Sequence, residues 1–130
     1  MVFSDLGRAG AFLAVEWVRE AIREQVGFDP YPGTLNLRAH GDDLSRWQEV
    51  RRNGARSVLS SPDPGFCGAF LYTGFLEGRP SATGPRERVA VVVPEVKDYP
   101  ADKLEIIASV SLKQNRSVRD GDELTVVFGE

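Results

Sequence analysis

Residues 30–37 read Pro-Tyr-Pro-Gly-Thr-Leu-Asn-Leu. Two prolines and a glycine fix a tight corner. A hydroxyl, Thr34, and an amide, Asn36, then follow two residues apart. On a strand that spacing aims both side chains to one side. Two small, neutral oxygen donors therefore share a face where the strand begins, opposite Leu35 and Leu37. Taken alone, the segment reads as a turn leading into a half-buried strand, with Asn36 exposed.

Two further stretches carry groups able to meet a ligand. Asp-Leu-Gly-Arg-Ala-Gly-Ala-Phe, at 5–12, is a loop of small residues that feeds a helix. Such a loop exposes backbone N–H groups, and the N-terminus of a helix favours anions. In Leu-Glu-Ile-Ile-Ala-Ser-Val-Ser-Leu-Lys, at 104–113, Glu105 opens an otherwise apolar strand, and Ser111 and Lys113 follow it.

Other chemistries lack their residues. There is no Gly-x-x-x-x-Gly-Lys-Ser/Thr and no Gly-x-Gly-x-x-Gly. No Cys or His cluster has metal spacing. His40, the one histidine, stands beside Gly41 and Asp42 and reads as a loop residue. Ser60 and Ser61 lie in a proline-containing loop without a partner base. Cys67, the one cysteine, excludes an internal disulfide and reads as a small buried thiol. Phe66, Phe70, Tyr72 and Phe75 read as core aromatics. Asp120 and Asp122 read as turn residues, because EF-hand spacing is missing.

The elements that must position these groups follow from periodicity. Over 12–26, Val15, Val18, Ile22 and Val26 recur at steps of three and four, which predicts an amphipathic helix. Gly27 follows as its C-cap. Strands are expected over 34–38, 57–60, 69–76, 88–93 and 103–109, with a last one after the Asp120-Gly121 turn. Residues 42–52, around Leu44 and Trp47, suggest a short second helix. Five to seven strands and one firm helix point to a mainly β fold. Small antiparallel sheets close to remove their edges, so a small closed β-barrel with one flanking α-helix is expected, as a single domain over 1–130.

The chain has 130 residues and a net charge of −3, with both signs interspersed. That suits one core and argues against a nucleic-acid partner. No apolar run approaches the roughly 20 residues of a membrane span. An early acid and no basic stretch argue against a signal peptide, so the cytoplasm is the expected location and a monomer the default.

In this order, Ser-Asp-Leu-Gly-Arg-Ala-Gly-Ala-Phe-Leu (4–13), Gly-Phe-Asp-Pro-Tyr-Pro-Gly-Thr-Leu-Asn-Leu (27–37), Arg-Val-Ala-Val-Val-Val-Pro (88–94), Tyr-Pro (99–100), Leu-Glu-Ile-Ile-Ala (104–108), Val-Ser-Leu-Lys (110–113) and Val-Arg-Asp-Gly-Asp-Glu-Leu-Thr-Val (118–126) resemble the archaeal CTP-dependent riboflavin kinase family. The resemblance implies a cradle-loop β-barrel. It also implies transfer of the γ-phosphate of CTP to the ribityl 5′-hydroxyl of riboflavin, giving FMN and CDP, with Mg²⁺. By the same resemblance, Thr34 and Asn36 hold the metal, and Leu6, Gly7, Arg8, Ala9, Gly10 and Ala11 hold the nucleotide phosphates. Val110, Ser111, Leu112 and Lys113 hold the rest of the nucleotide. Glu105 touches the flavin and orients or deprotonates the hydroxyl, and Lys97 or Asp98 makes a further flavin contact. The sequence departs from the family pattern at Ala9, Gly10-Ala11, Ser109 and Lys113. A non-catalytic flavin- or nucleotide-binding module is therefore the alternative.

Overall fold

The computed structural model describes residues 2–3, 13, 15–53, 57–60, 68–78, 86–96, 98–112, 114 and 119–129. Among the described residues seven antiparallel strands are present: β1 Val2–Phe3, β2 Leu35–Arg38, β3 Ser57–Leu59, β4 Ala69–Gly78, β5 Glu87–Pro94, β6 Lys103–Ile107 and β7 Leu124–Phe128. They form one sheet in the order β1-β2-β6-β5-β4-β3, and β7 also pairs with β4.

Alternation along the strands sends apolar side chains to both faces. Leu35, Leu37, Tyr72, Leu76, Val89, Val91, Val93, Leu104 and Ile106 form one buried cluster, with Trp47. Leu71, Ala90, Val92 and Ile107 form a second with Val18, Ile22 and Val26. Strands buried on both faces read as near-continuous apolar runs, which is why Arg-Val-Ala-Val-Val-Val-Pro is so strong a strand signal.

Helix α1, Glu16–Val26, buries the expected stripe against the second cluster. Gly27 ends it at φ 85°, with its N–H donating to the Arg23 carbonyl at 3.1 Å. Arg19 and Arg23 then reach Asp29 beyond the cap, at 3.1 and 3.4 Å. Helix α2, Gly41–Asn53, is a full second helix, so among the described residues two long helices accompany the sheet rather than the one expected. Asp42 and Asp43 in its first turn and Arg51 and Arg52 in its last suit its dipole. Its buried residue is Trp47, which stacks on Phe128 with centroids 5.4 Å apart and meets Tyr72 edge-on at the same distance. Among the described residues, no helix is long and apolar enough to cross a membrane.

The closed barrel expected from the sequence is not seen as a continuous ladder. Leu37 of β2 and Phe128 of β7 belong to one cluster although their strands lie four steps apart along the sheet, so the sheet is strongly curved. Yet no ladder joins β1 to β7 among the described residues. Val2 instead exchanges two backbone bonds with the turn before β7, its N–H donating to Asp122 at 2.8 Å and its carbonyl accepting from Gly121 at 2.9 Å.

β7 approaches β4 closely at Gly74. A Cβ there would run into the Val127 carbonyl oxygen and lie 3.0 Å from Phe128 Cα. Gly74→Ala is expected to destabilise the fold by roughly 1–3 kcal/mol, read as a lower urea midpoint. The Arg19 hydrogen bond, opposed by desolvation and aided by the Arg19 charge and by Arg23, holds the Asp29 carboxyl below its ordinary 3.8. A carboxylate so held stabilises the fold above that ordinary value, and the contribution is lost as pH falls through the lowered one. Asp29→Asn should therefore lower the melting temperature slightly at pH 7 and leave it unchanged near pH 2.

Candidate functional site

The register places the candidate residues in one row. Phe3 of β1 pairs with Asn36 of β2, Asn36 with Glu105 of β6, and Glu105 with Val92 of β5. Residues directly opposite share a face. Asn36, Glu105 and Val92 therefore point to the α1 side, where Val92 lies in the α1 cluster. The neighbouring Leu35, Leu37, Leu104 and Ile106 point away and fix the register by being buried.

Thr34 precedes β2 and points the same way as Asn36, its Oγ1 donating to Asn36 Oδ1 at 3.3 Å. Asn36 is 8% exposed and is the buried polar residue of the described core. The exposure expected for it fails because β1 and β6 flank it on both sides. The two oxygens sit close to adjacent corners of an octahedron, which lie about 3.0 Å apart for bonds of about 2.1 Å. The pair thus fits two ligand positions of a small hard cation. No group of three or more His, Cys, Asp or Glu residues suits a metal among the described residues.

The corner before Thr34 is fastened to the far end of β6. Tyr31 N–H donates to the Ala108 carbonyl at 2.8 Å, and Gly33 N–H to the Tyr31 carbonyl at 2.8 Å. That brings 31–34 beside 108–112. There Ser111 Oγ accepts from Gln114 N–H at 3.4 Å. Val110 packs on the core, and Leu112, 4% exposed, is part of it. Of these, Leu112 has only its backbone to offer a ligand.

Glu105 is 13% exposed and Lys103, two residues before it on the same face, 15%. Glu105 Oε1 accepts from Tyr99 Oη at 2.6 Å and lies 3.3 Å from Lys103 Nζ. The Lys103 ammonium also stands 5.5 Å from the Tyr99 ring centre. Sequence reasoning missed both partners. Lys103 reads as the flank of an apolar run, although its i, i+2 relation to Glu105 places them on one face. Tyr99 reaches Glu105 from the β5–β6 loop. In that loop Asp98 holds φ 66°, the one positive φ among the described non-glycine residues, a conformation that Asp tolerates better than most and that often marks functional loops.

Leu6 to Ala11, Lys97 and Lys113 lie outside the described residues. So do Phe66 and Cys67. Phe3, the last described residue before the small-residue segment, pairs with Asn36. A separate cavity of about 370 Å³ lies on the opposite face, lined by Leu37, Leu104, Trp47 and Phe128. Its walls carry none of the candidate residues.

A model of the family of CTP-dependent riboflavin kinase, described as domain of unknown function DUF120, matches residues 2–128. Curated relatives named riboflavin kinase include one of Archaeoglobus fulgidus, 33% identical over 129 residues and covering 96% of this chain and 51% of its own. One of Methanococcoides burtonii is 33% identical over 129 residues, covering 98% of this chain and 54% of its own. One of Pyrobaculum aerophilum is 34% identical over 126 residues, covering 96% and 57%. The chain spans about half the length of these curated relatives. With a match running from β1 to the end of β7, the chain belongs to the CTP-dependent riboflavin kinase family.

Proposed function

We propose that this protein transfers the γ-phosphate of CTP to the ribityl 5′-hydroxyl of riboflavin, giving FMN and CDP, as a cytoplasmic enzyme of one domain. The observation that carries the reading is the placement of Thr34, Asn36 and Glu105 on one face, with Asn36 opposite Glu105. Three relatives named riboflavin kinase support it. We read the sheet as the family's barrel, completed through the Val2 bonds to residues 121 and 122.

Thr34 Oγ1 and Asn36 Oδ1 would hold Mg²⁺, with the hydroxyl turned away from its amide partner so that both oxygens donate. The bound ion would supply charge for the β- and γ-phosphates. Both ligands are neutral, so the nucleotide brings the negative charge. The backbone of Leu6 to Ala11 would cradle the phosphates. Residues 110–113 would hold the rest of the nucleotide, with Lys113 as its charged member, and Lys97 or Asp98 would meet the flavin.

Glu105 would accept a hydrogen bond from the 5′-hydroxyl and aim its oxygen at the γ-phosphorus. The new O–P bond forms as the bond to the β–γ bridging oxygen breaks, CDP leaves, and the hydroxyl proton passes to Glu105. Little covalent help is required of the protein, because position and charge lower the barrier.

Protein with Mg²⁺, CTP and riboflavin is expected to form FMN, faster with CTP than with ATP in a parallel reaction. Absence of FMN with either nucleotide would sink the reading, and flavin binding without turnover would favour a non-catalytic binding module. Asn36→Ala should weaken Mg²⁺-dependent CTP binding by about tenfold or more, measured by titration calorimetry with and without the metal. Circular dichroism should report an intact fold.

A further inference from the structure

Glu105 is held in an asymmetric way. Tyr99 Oη and Lys103 Nζ both meet the same carboxylate oxygen, Oε1, at 2.6 and 3.3 Å. Among the described residues Oε2 takes no hydrogen bond. A carboxylate has about four acceptor positions, so the two donors occupy one oxygen and leave the other open. A largely buried carboxylate requires such partners, since an unpaired buried charge is expensive.

The three side chains also restrain one another. Lys103 is fixed by its place on β6 and by the Tyr99 ring, 5.5 Å from its ammonium. Tyr99 follows directly on Asp98, whose φ of 66° bends the loop at that point. Tyr99 Oη is thereby brought to within a short hydrogen bond of a strand residue six positions later.

We propose that Tyr99 and Lys103 are positioning residues that lock Glu105 through Oε1 and dedicate Oε2 to a hydroxyl or N–H donor of the substrate. This rests on the reading of Glu105 as the group that meets the riboflavin hydroxyl. The lock fixes the rotamer of the carboxylate, so its loss changes how well the acceptor hydroxyl is aimed and leaves the nucleotide side untouched.

The test compares wild-type protein with Tyr99→Phe, Lys103→Met, Lys103→Arg, Glu105→Gln and the Tyr99→Phe/Glu105→Gln pair. It measures steady-state FMN formation and riboflavin binding by fluorescence quenching. Tyr99→Phe and Lys103→Met should each lower kcat/KM for riboflavin by about tenfold or more, the scale of a lost hydrogen bond to a charged group. KM for CTP should stay near wild type, Lys103→Met should lower the melting temperature by leaving a largely buried carboxylate without its cation, and Lys103→Arg should recover most of both losses. In the Glu105→Gln background, Tyr99→Phe should add little, because its effect passes through that carboxylate. Additive losses, or equal changes in the CTP and riboflavin constants, overturn the assignment. Wild-type protein that neither binds nor phosphorylates riboflavin overturns the functional reading, and the assignment with it; wild-type turnover with additive variants overturns the assignment alone.

Discussion

The pairing of β2 with β6 sets Asn36 opposite Glu105 and Leu35 opposite Ile106. A slip of one residue would send both polar side chains to the other face and four apolar ones with them. Leu35, Leu37, Leu104 and Ile106 are all at most 6% exposed. At about 1.5–3 kcal/mol for each such side chain returned to water, the slipped register is excluded. The hydrophobic face of these two strands thereby positions polar groups it never touches. The Tyr31–Ala108 hydrogen bond adds a second fastening, from the proline corner to the end of β6.

The same sheet must satisfy two layers at once. One face closes over Trp47 and α2, the other over α1. β4 is the strand that makes this possible. It pairs with β5 along 69–76, with β3 at 69–71 and with β7 at 74–78. Gly74 stands where β7 joins and leaves room for the Val127 carbonyl. A strand that changes partner partway along its length lets the sheet curve until β7 approaches the β1–β2 end. The polar row on β2 and β6 then faces the side of the sheet that carries α1.

Much of this was legible in the sequence. The α1 stripe, its glycine cap, and β2, β5, β6 and β7 announce themselves because each buries residues at a fixed period. The Asp120-Gly121 turn does so as well, with Gly121 at φ 92°. Helix α2 was only half visible, since Trp47 is its single buried residue and a lone large side chain makes a faint stripe. β1 has too few residues to carry a period. The Thr34–Asn36 pair could be read as two donors on one face, but the burial of Asn36 could not, because it comes from strands distant in sequence. Tyr99 and Lys103 were invisible as partners of Glu105 for a related reason. One reaches it only through loop geometry, and the other looks like the polar edge of an apolar run.

Charge gives the arrangement its logic. The chain carries a net −3, and the proposed donor nucleotide is itself strongly anionic. A metal site built of carboxylates would add negative charge where the phosphates must arrive. In the proposed reading, Thr34 and Asn36 would offer oxygen without charge, leaving the attraction between metal and phosphate undiluted. The one carboxylate in the row, Glu105, is matched by Lys103 at 3.3 Å in surroundings that exclude most water, 13% and 15% exposed. At such low exposure the pair interacts more strongly than at the surface, and the row as a whole is close to neutral. In the proposed reading, this near-neutral row would receive a highly charged donor next to a neutral acceptor. That combination is what transfer from a nucleotide to an alcohol demands.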